Sequence, residues 1–136
     1  MNPEILNEMI KVANKSKTTA YCPYSKFKVG ASILGVNGKI YSGCNIENCS
    51  YPCGVCAEVT AACKAVSDDC LKFTAVVVAN DTEKFIRPCG QCRQFLSEFS
   101  TKNMQIISLN KTNKSDTKTI EELLPFAFDE DFNEDK

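Results

Sequence analysis

Three cysteines and one glutamate carry the chemistry available to this sequence: Cys56 and Glu58 in Cys56-Ala57-Glu58, and Cys89 and Cys92 in Pro88-Cys89-Gly90-Gln91-Cys92, about thirty residues further on. Thiolates from Cys56, Cys89 and Cys92 would supply three of the four ligands that Zn2+ takes and leave one position open, the layout of a catalytic rather than a structural zinc. An open position admits water, and the metal lowers that water's pKa far enough to hold hydroxide near neutral pH. Glu58 lies too close in sequence to Cys56 to be kept away from the same site. Its carboxyl is placed to take a proton from that water and deliver it to a substrate nitrogen, first as base and then as acid.

A second arrangement of thiols uses Cys53-Gly54-Val55-Cys56, which is also a Cys-x-x-Cys pair. Cys53, Cys56, Cys89 and Cys92 would then enclose the metal in a four-thiolate structural site, a zinc-stabilised module without catalysis. Both pairs run into helical patterns instead of the short hairpins that carry zinc-ribbon knuckles, and a closed site leaves Glu58 without a role. A redox Cys-x-x-Cys needs a single pair in a βαβ unit, not two. The remaining cysteines, Cys22, Cys44, Cys49, Cys63 and Cys70, are expected to be small buried or half-buried residues with no chemistry of their own.

The elements that must position these groups follow from hydrophobic period. From Pro3 to about Ser16, apolar Ile5, Met9, Ile10, Val12 and Ala13 recur at helical spacing. Phe27 to Leu34 alternates as a half-buried strand does, Asn37-Gly38 signals a two-residue hairpin, and Lys39 to Cys44 is the return strand. Asn45 to Tyr51 is polar and turn-like, a loop suited to ligand contacts. After Cys56, small apolar residues nearly all round predict a helix buried against a sheet up to about Ser67. Phe73 to Ala79 reads as a strand covered on both faces. Gly90 to about Ser100 reads as a helix with Phe95, Leu96 and Phe99 inward, and Met104 to Leu109 as another strand. Lys111 to Thr119 reads as a polar loop, and Thr119-Ile120-Glu121-Glu122 as a capping box opening a short helix that ends at Pro125. This order of elements gives an α/β sandwich with helices on both faces of a mixed sheet. The two central helices then begin near one edge of that sheet, which sets Cys56, Cys89 and Cys92 at neighbouring helix N-termini, where partial positive charge favours thiolates.

A chain of 136 residues with a formal net charge of −1 is of a size for one domain and shows no basic face for a polynucleotide. Residues 1–128 are read as that domain and 129–136, with five acids, as a solvated acidic tail. The first residues show no basic, apolar leader and no apolar run approaches membrane-spanning length, so the nine cysteines are expected to be reduced and the location cytoplasmic.

With these residues placed, the chain resembles the small cytidine deaminases. The likeness runs from Tyr21-Cys22-Pro23-Tyr24-Ser25-Lys26-Phe27-Lys28-Val29-Gly30-Ala31 through Gly43-Cys44-Asn45-Ile46-Glu47-Asn48, Cys56-Ala57-Glu58 and Pro88-Cys89-Gly90-Gln91-Cys92-Arg93-Gln94 to Glu122-Leu123-Leu124-Pro125. The resemblance implies a three-layer α/β/α sandwich around a mixed five-stranded sheet. It also implies a pyrimidine-salvage hydrolase that converts cytidine and deoxycytidine to uridine and deoxyuridine with release of ammonia. One Zn2+ per subunit would be held by Cys56, Cys89 and Cys92, its hydroxide would attack C4, and Glu58 would move protons to ring N3 and the departing amino group. Asn45 and Glu47 would bind the sugar 3′-hydroxyl, Phe27 would pack on the pyrimidine, and Ala57 would offer backbone contacts to the base edge. Phe128 would be lent to a neighbouring subunit's site in a homotetramer. The partners are a small nucleoside and copies of the same chain, with no nucleic acid and no membrane.

The sequence departs from that family at Val59, where members with three cysteine ligands commonly carry arginine after the glutamate. Three thiolates and Zn2+ sum to −1, so helix N-termini, together with Arg93, are expected to offset part of that charge. An apolar residue here also occurs in some blasticidin S deaminases, which act on a cytosine ring bearing a bulkier sugar-like group. Asn45-Ile46-Glu47-Asn48 and Tyr24-Ser25-Lys26-Phe27 favour the ordinary nucleoside.

Overall fold

A computed structural model describes residues 1–129. The chain opens with α1 (Pro3–Lys17), whose first turn is closed by Asn2: its Oδ1 accepts from Glu4 N at 2.7 Å, with Pro3 following at the first helical position. Met9 and Ala13, one turn apart, are its buried residues. β1 (Val29–Gly35) and β2 (Ile40–Cys44) form an antiparallel hairpin. Its connection is longer than the two-residue turn that Asn37-Gly38 predicts. Gly35 N bonds to Lys39 O at 2.9 Å across Val36-Asn37-Gly38, with Gly38 in the left-handed region (φ +81°). A short 3-10 turn at Tyr51–Cys53 leads to α2 (Ala57–Ser67), then β3 (Phe73–Asn80), α3 (Gly90–Glu98) and β4 (Ser100–Leu109). β5 (Ser115–Thr119) and α4 (Ile120–Leu123) complete the described elements.

The strands lie in the order β2-β1-β3-β4-β5, with β3 and β4 parallel and the other neighbours antiparallel. Two cores flank this mixed five-stranded sheet. On one side Met9 and Ala13 of α1 pack with Ala75, Val77, Ile107 and Leu109. On the other, Ala57, Ala61, Ala62 and Ala65 of α2 and Leu96 of α3 pack with Ile33, Phe73, Val76, Val78 and Ile106. The result is the expected three-layer sandwich.

Two strand expectations change. β1 begins at Val29, not Phe27, and nearly every residue in it is buried, because it lies inside the sheet with helices on both faces. The polar stretch from Lys111 to Thr119 is not all loop: Ser115–Thr119 pairs antiparallel with Gln105–Leu109 as the edge strand β5. The capping box is present, Thr119 Oγ1 accepting from Glu122 N at 3.1 Å and Glu122 Oε1 from Thr119 N at 2.9 Å. The acidic tail expected from Asp129 lies, beyond Asp129 itself, outside the described residues. Among the described residues no helix is long and apolar enough to cross a membrane.

One contact in this frame bears on the site. A Cβ added at Gly43 of β2 would lie 2.4 Å from both Ala57 O and Ala61 N, so the first turns of α2 rest directly on the strand's backbone. Gly43→Ala is therefore expected to lower stability by about 1–3 kcal/mol, the usual cost of overpacking. Urea unfolding measures it, and a wild-type midpoint would mean that α2 does not sit this close.

Candidate active site

Cys56 is the N-cap of α2 and Cys89 the N-cap of α3, both in extended backbone and neither spending its side chain on a capping hydrogen bond. Their thiols face each other, with Sγ atoms 4.0 Å apart. Cys92 lies one turn into α3, its Sγ 3.4 Å from that of Cys89. All three sulfurs fall within 4.8 Å of one another. Sulfurs about 2.3 Å from a tetrahedral zinc are separated by about 3.8 Å, so the observed spacings fit the metal. Cys53, exposed at the end of the 3-10 turn, does not belong to this group, which argues against the closed four-thiolate arrangement. The thiols also share charge. Hydrogen bonds from Cys92 and then Cys89 hold Cys56 down to about 6, whereas Cys92 is pushed up by its bond to Cys56, by burial and by the nearby Glu58.

Glu58, in the first turn of α2, is only 4% exposed. Burial, helped by the charge of Cys56 and opposed by its own backbone N–H, pushes its carboxyl up to about 7. A carboxyl poised there gives up and regains a proton near neutral pH. In front of it lies a cleft of about 260 Å3 lined by Phe27, Asn45, Glu47, Cys56, Ala57, Glu58 and Cys89, together with Ser25, Val29, Ile86 and Arg87.

The polar wall of this cleft is tied together before any ligand arrives. Asn45 Oδ1 accepts from Val29 N at 2.9 Å and its Nδ2 donates to Phe27 O at 2.7 Å, which ties the segment just before β1 to the strand's first residue. One amide hydrogen of Asn45 is left for a ligand. Glu47 Oε1 accepts from Tyr24 N and Ser25 N at 3.0 and 3.1 Å, and Oε2 accepts from Ser25 Oγ. These bonds, that from the Ser25 hydroxyl foremost, hold its carboxyl below the usual range. The wall therefore presents an ionised acceptor.

Comparison with known proteins decides the family. The sequence matches the family model described as cytidine and deoxycytidylate deaminase zinc-binding region over residues 3–108. The chain belongs to the cytidine deaminase family. It is 45% identical over 123 residues to a cytidine deaminase of Sporosarcina psychrophila, covering 90% of each chain. It is 41% identical to a probable cytidine deaminase of Dictyostelium discoideum, covering 96% of this chain and 88% of the relative. The crystal structure of cytidine deaminase from Burkholderia pseudomallei superposes with a TM-score of 0.86 at 35% identity, covering 94% of this chain and 100% of that one. The family is a zinc-binding one, and the Cys56, Cys89 and Cys92 group is positioned to bind a metal ion.

Of the residues singled out from the sequence, Phe27, Asn45, Glu47, Cys56, Ala57, Glu58 and Cys89 share the cleft, and Cys92 is buried beside Cys89. Phe128 is apart from it. It is 78% exposed and borders a different cleft, with Phe126 and Leu124. Arg93 is not spent on the sulfurs: its guanidinium donates to the carbonyls of Pro88 and Leu123. Charge compensation from that side chain is thus not seen, and the helix N-termini remain. Cys49 and Cys63 are exposed rather than buried. The sequence reading missed Ser25, whose signal was its place in the Tyr24-Ser25 turn before Phe27. It also missed Arg87, paired with Asp116 of β5, because that pairing requires a strand the polar composition hid.

Proposed function

We propose that this chain is a zinc-dependent cytidine deaminase. Its reaction is cytidine or deoxycytidine plus water to uridine or deoxyuridine plus ammonia, in pyrimidine salvage. The observation that carries the reading is a carboxyl buried beside three converging thiols at the wall of an open cleft. Cys56, Cys89 and Cys92 would hold the zinc, which would supply Lewis-acid activation of water at neutral pH. Glu58 accepts the first proton of the attacking water and delivers it to N3 of the ring. It then takes the second from the hydroxyl newly bonded to C4 and delivers it to the amino nitrogen as the C4–N bond breaks and the C4 carbonyl forms, so no net proton is needed from solvent. Phe27 packs on the pyrimidine, Ala57 offers backbone groups to its edge, and Asn45 and Glu47 hold the 3′-hydroxyl. Because the 2′-hydroxyl has no assigned contact, both sugars are accepted.

Residues 1–128 act as a single domain, located in the cytoplasm. Tyr51, Phe126 and Phe128 are 79%, 104% and 78% exposed, and such aromatics support burial against other copies of the chain. A homotetramer in which Phe128 completes a neighbour's site fits this exposure.

Purified protein incubated with cytidine, deoxycytidine or blasticidin S, followed by ultraviolet absorbance near the cytosine band, tests the reading. Turnover of both nucleosides with little of blasticidin S is expected. Preference for blasticidin S would assign the relative with the bulkier substrate, and no turnover by zinc-loaded protein would leave a binding module.

Val59 sits on α2 directly after Glu58. Arginine there would add positive charge beside the ligands, so Val59→Arg is expected to raise kcat/KM or to move the acidic limb of its pH profile downward. An unchanged profile in a folded, zinc-loaded variant rejects the charge argument.

A further inference from the structure

Two side chains of α3 link the turn that bears Cys89 to the last described residues. Arg93 donates from Nε to Pro88 O at 2.7 Å and from Nη1 to Leu123 O at 2.9 Å. Pro88 immediately precedes Cys89, and Leu123 is the last residue of α4. Gln94 donates from Nε2 to Phe128 O at 2.8 Å. Between these anchors the backbone turns at Phe126, whose φ of +56° is one a bulky side chain adopts only where its surroundings impose it. The segment from Leu124 to Phe128 therefore has its backbone fastened to α3 while Phe126 and Phe128 remain largely exposed among the described residues.

We propose that Arg93 and Gln94 are positioning residues that join the C-terminal aromatic arm to the metal-ligand turn, so that the metal centre and the arm are held as one body. Arg93 is the joint. The guanidinium is a rigid planar fork able to bond two carbonyls on different elements at once, which a lysine ammonium on a flexible stem does not reproduce. Gln94 is the second fastening, at the far end of the arm. The proposal rests on the reading that Phe128 completes the site of a neighbouring copy. It adds that the placement of Phe128 is set by the same helix that carries Cys92 and is capped by Cys89.

Steady-state kinetics and zinc release test it together. Gln94→Glu keeps the size of the side chain but has no amide donor for Phe128 O. KM for cytidine is expected to rise about five- to ten-fold, with kcat and zinc content within about two-fold of wild type. Arg93→Lys is expected to raise KM similarly and also to release zinc to a chromophoric chelator at least about five-fold faster, since Pro88 is no longer held beside Cys89. Phe128→Ala examines the underlying reading and is expected to raise KM by itself. The double variant Gln94→Glu with Phe128→Ala should be no worse than Phe128→Ala alone, because both changes act through one arm. Multiplying effects in the double variant overturn the proposal, as does a wild-type KM for Gln94→Glu when Phe128→Ala is impaired. A wild-type KM for Phe128→Ala instead removes the reading beneath it, which keeps the two failures distinct.

Discussion

Glu58→Gln is expected to lower kcat about a thousand-fold or more while zinc content stays at the wild-type level and KM moves by no more than a few-fold. The size follows from the double duty assigned to one carboxyl, each proton transfer contributing on the order of a hundred-fold or more. Glutamine matches the shape of the side chain and still offers an oxygen to the Glu58 backbone N–H, so the cleft need not rearrange. Parallel measurement of turnover and metal content is the check. A variant that retains more than about a tenth of wild-type kcat with full zinc would show that the proton travels by another route.

The same substitution should act on stability in the opposite direction. The folded carboxyl titrates at about 7, above the 4.5 of an unperturbed glutamate. A raised folded value means that this group supports folding below the unfolded value, and that the support is lost as pH rises through the folded one. The window from 4.5 to about 7 corresponds to about 3 kcal/mol lost in the metal-free protein at alkaline pH. Chelated Glu58→Gln should accordingly unfold at higher urea than chelated wild type at pH 8, the advantage vanishing near pH 4. Equal midpoints at both pH values would mean that the native carboxyl is not kept from ionising. A catalytic group that weakens the fold it sits in is the expected signature of a functional carboxylate.

Replacing Cys92 by serine should remove zinc to below about a tenth of an equivalent and take turnover to background, since Cys92 is one of the three thiols positioned to hold the ion. Cys92 is 1% exposed, buried beside Cys89, and a hydroxyl there is a poor substitute for a soft anionic ligand. Cys53→Ser is the control, expected to keep both zinc and turnover because Cys53 is outside the sulfur group. If Cys53→Ser lost zinc as Cys92→Ser does, the four-thiolate alternative would return and the open coordination position would be gone.

What could be read from the sequence divides along physical lines. Cys56, Glu58, Cys89 and Cys92 were legible because metal and proton chemistry admit few residue types at few spacings. α2 and β3 were legible because burial on several sides leaves small or β-branched residues in unbroken runs. β5 was not: Ser115-Asp116-Thr117-Lys118-Thr119 has no fully buried residue, so its alternation is between polar side chains and carries no hydrophobic period. With this stretch read as loop, nothing in the sequence marks Asp116 as the partner of Arg87. Phe128 stands apart from the cleft of its own chain, and only the likeness to a family assigns it to a neighbour's site, since an exposed aromatic in sequence looks like any other.

Cys56 and Cys89 are 33 positions apart, and β3 lies between them. A bound ion joining their sulfurs closes a ring of chain that contains the middle strand of the sheet and all of α2. A covalent cross-link of that span would restrict the unfolded chain by about 4 kcal/mol, and a tightly held ion approaches the same limit. Loss of metal therefore opens the ring through the centre of the molecule instead of freeing one surface loop, and protease cutting within the enclosed segment should report metal loading as faithfully as catalysis does.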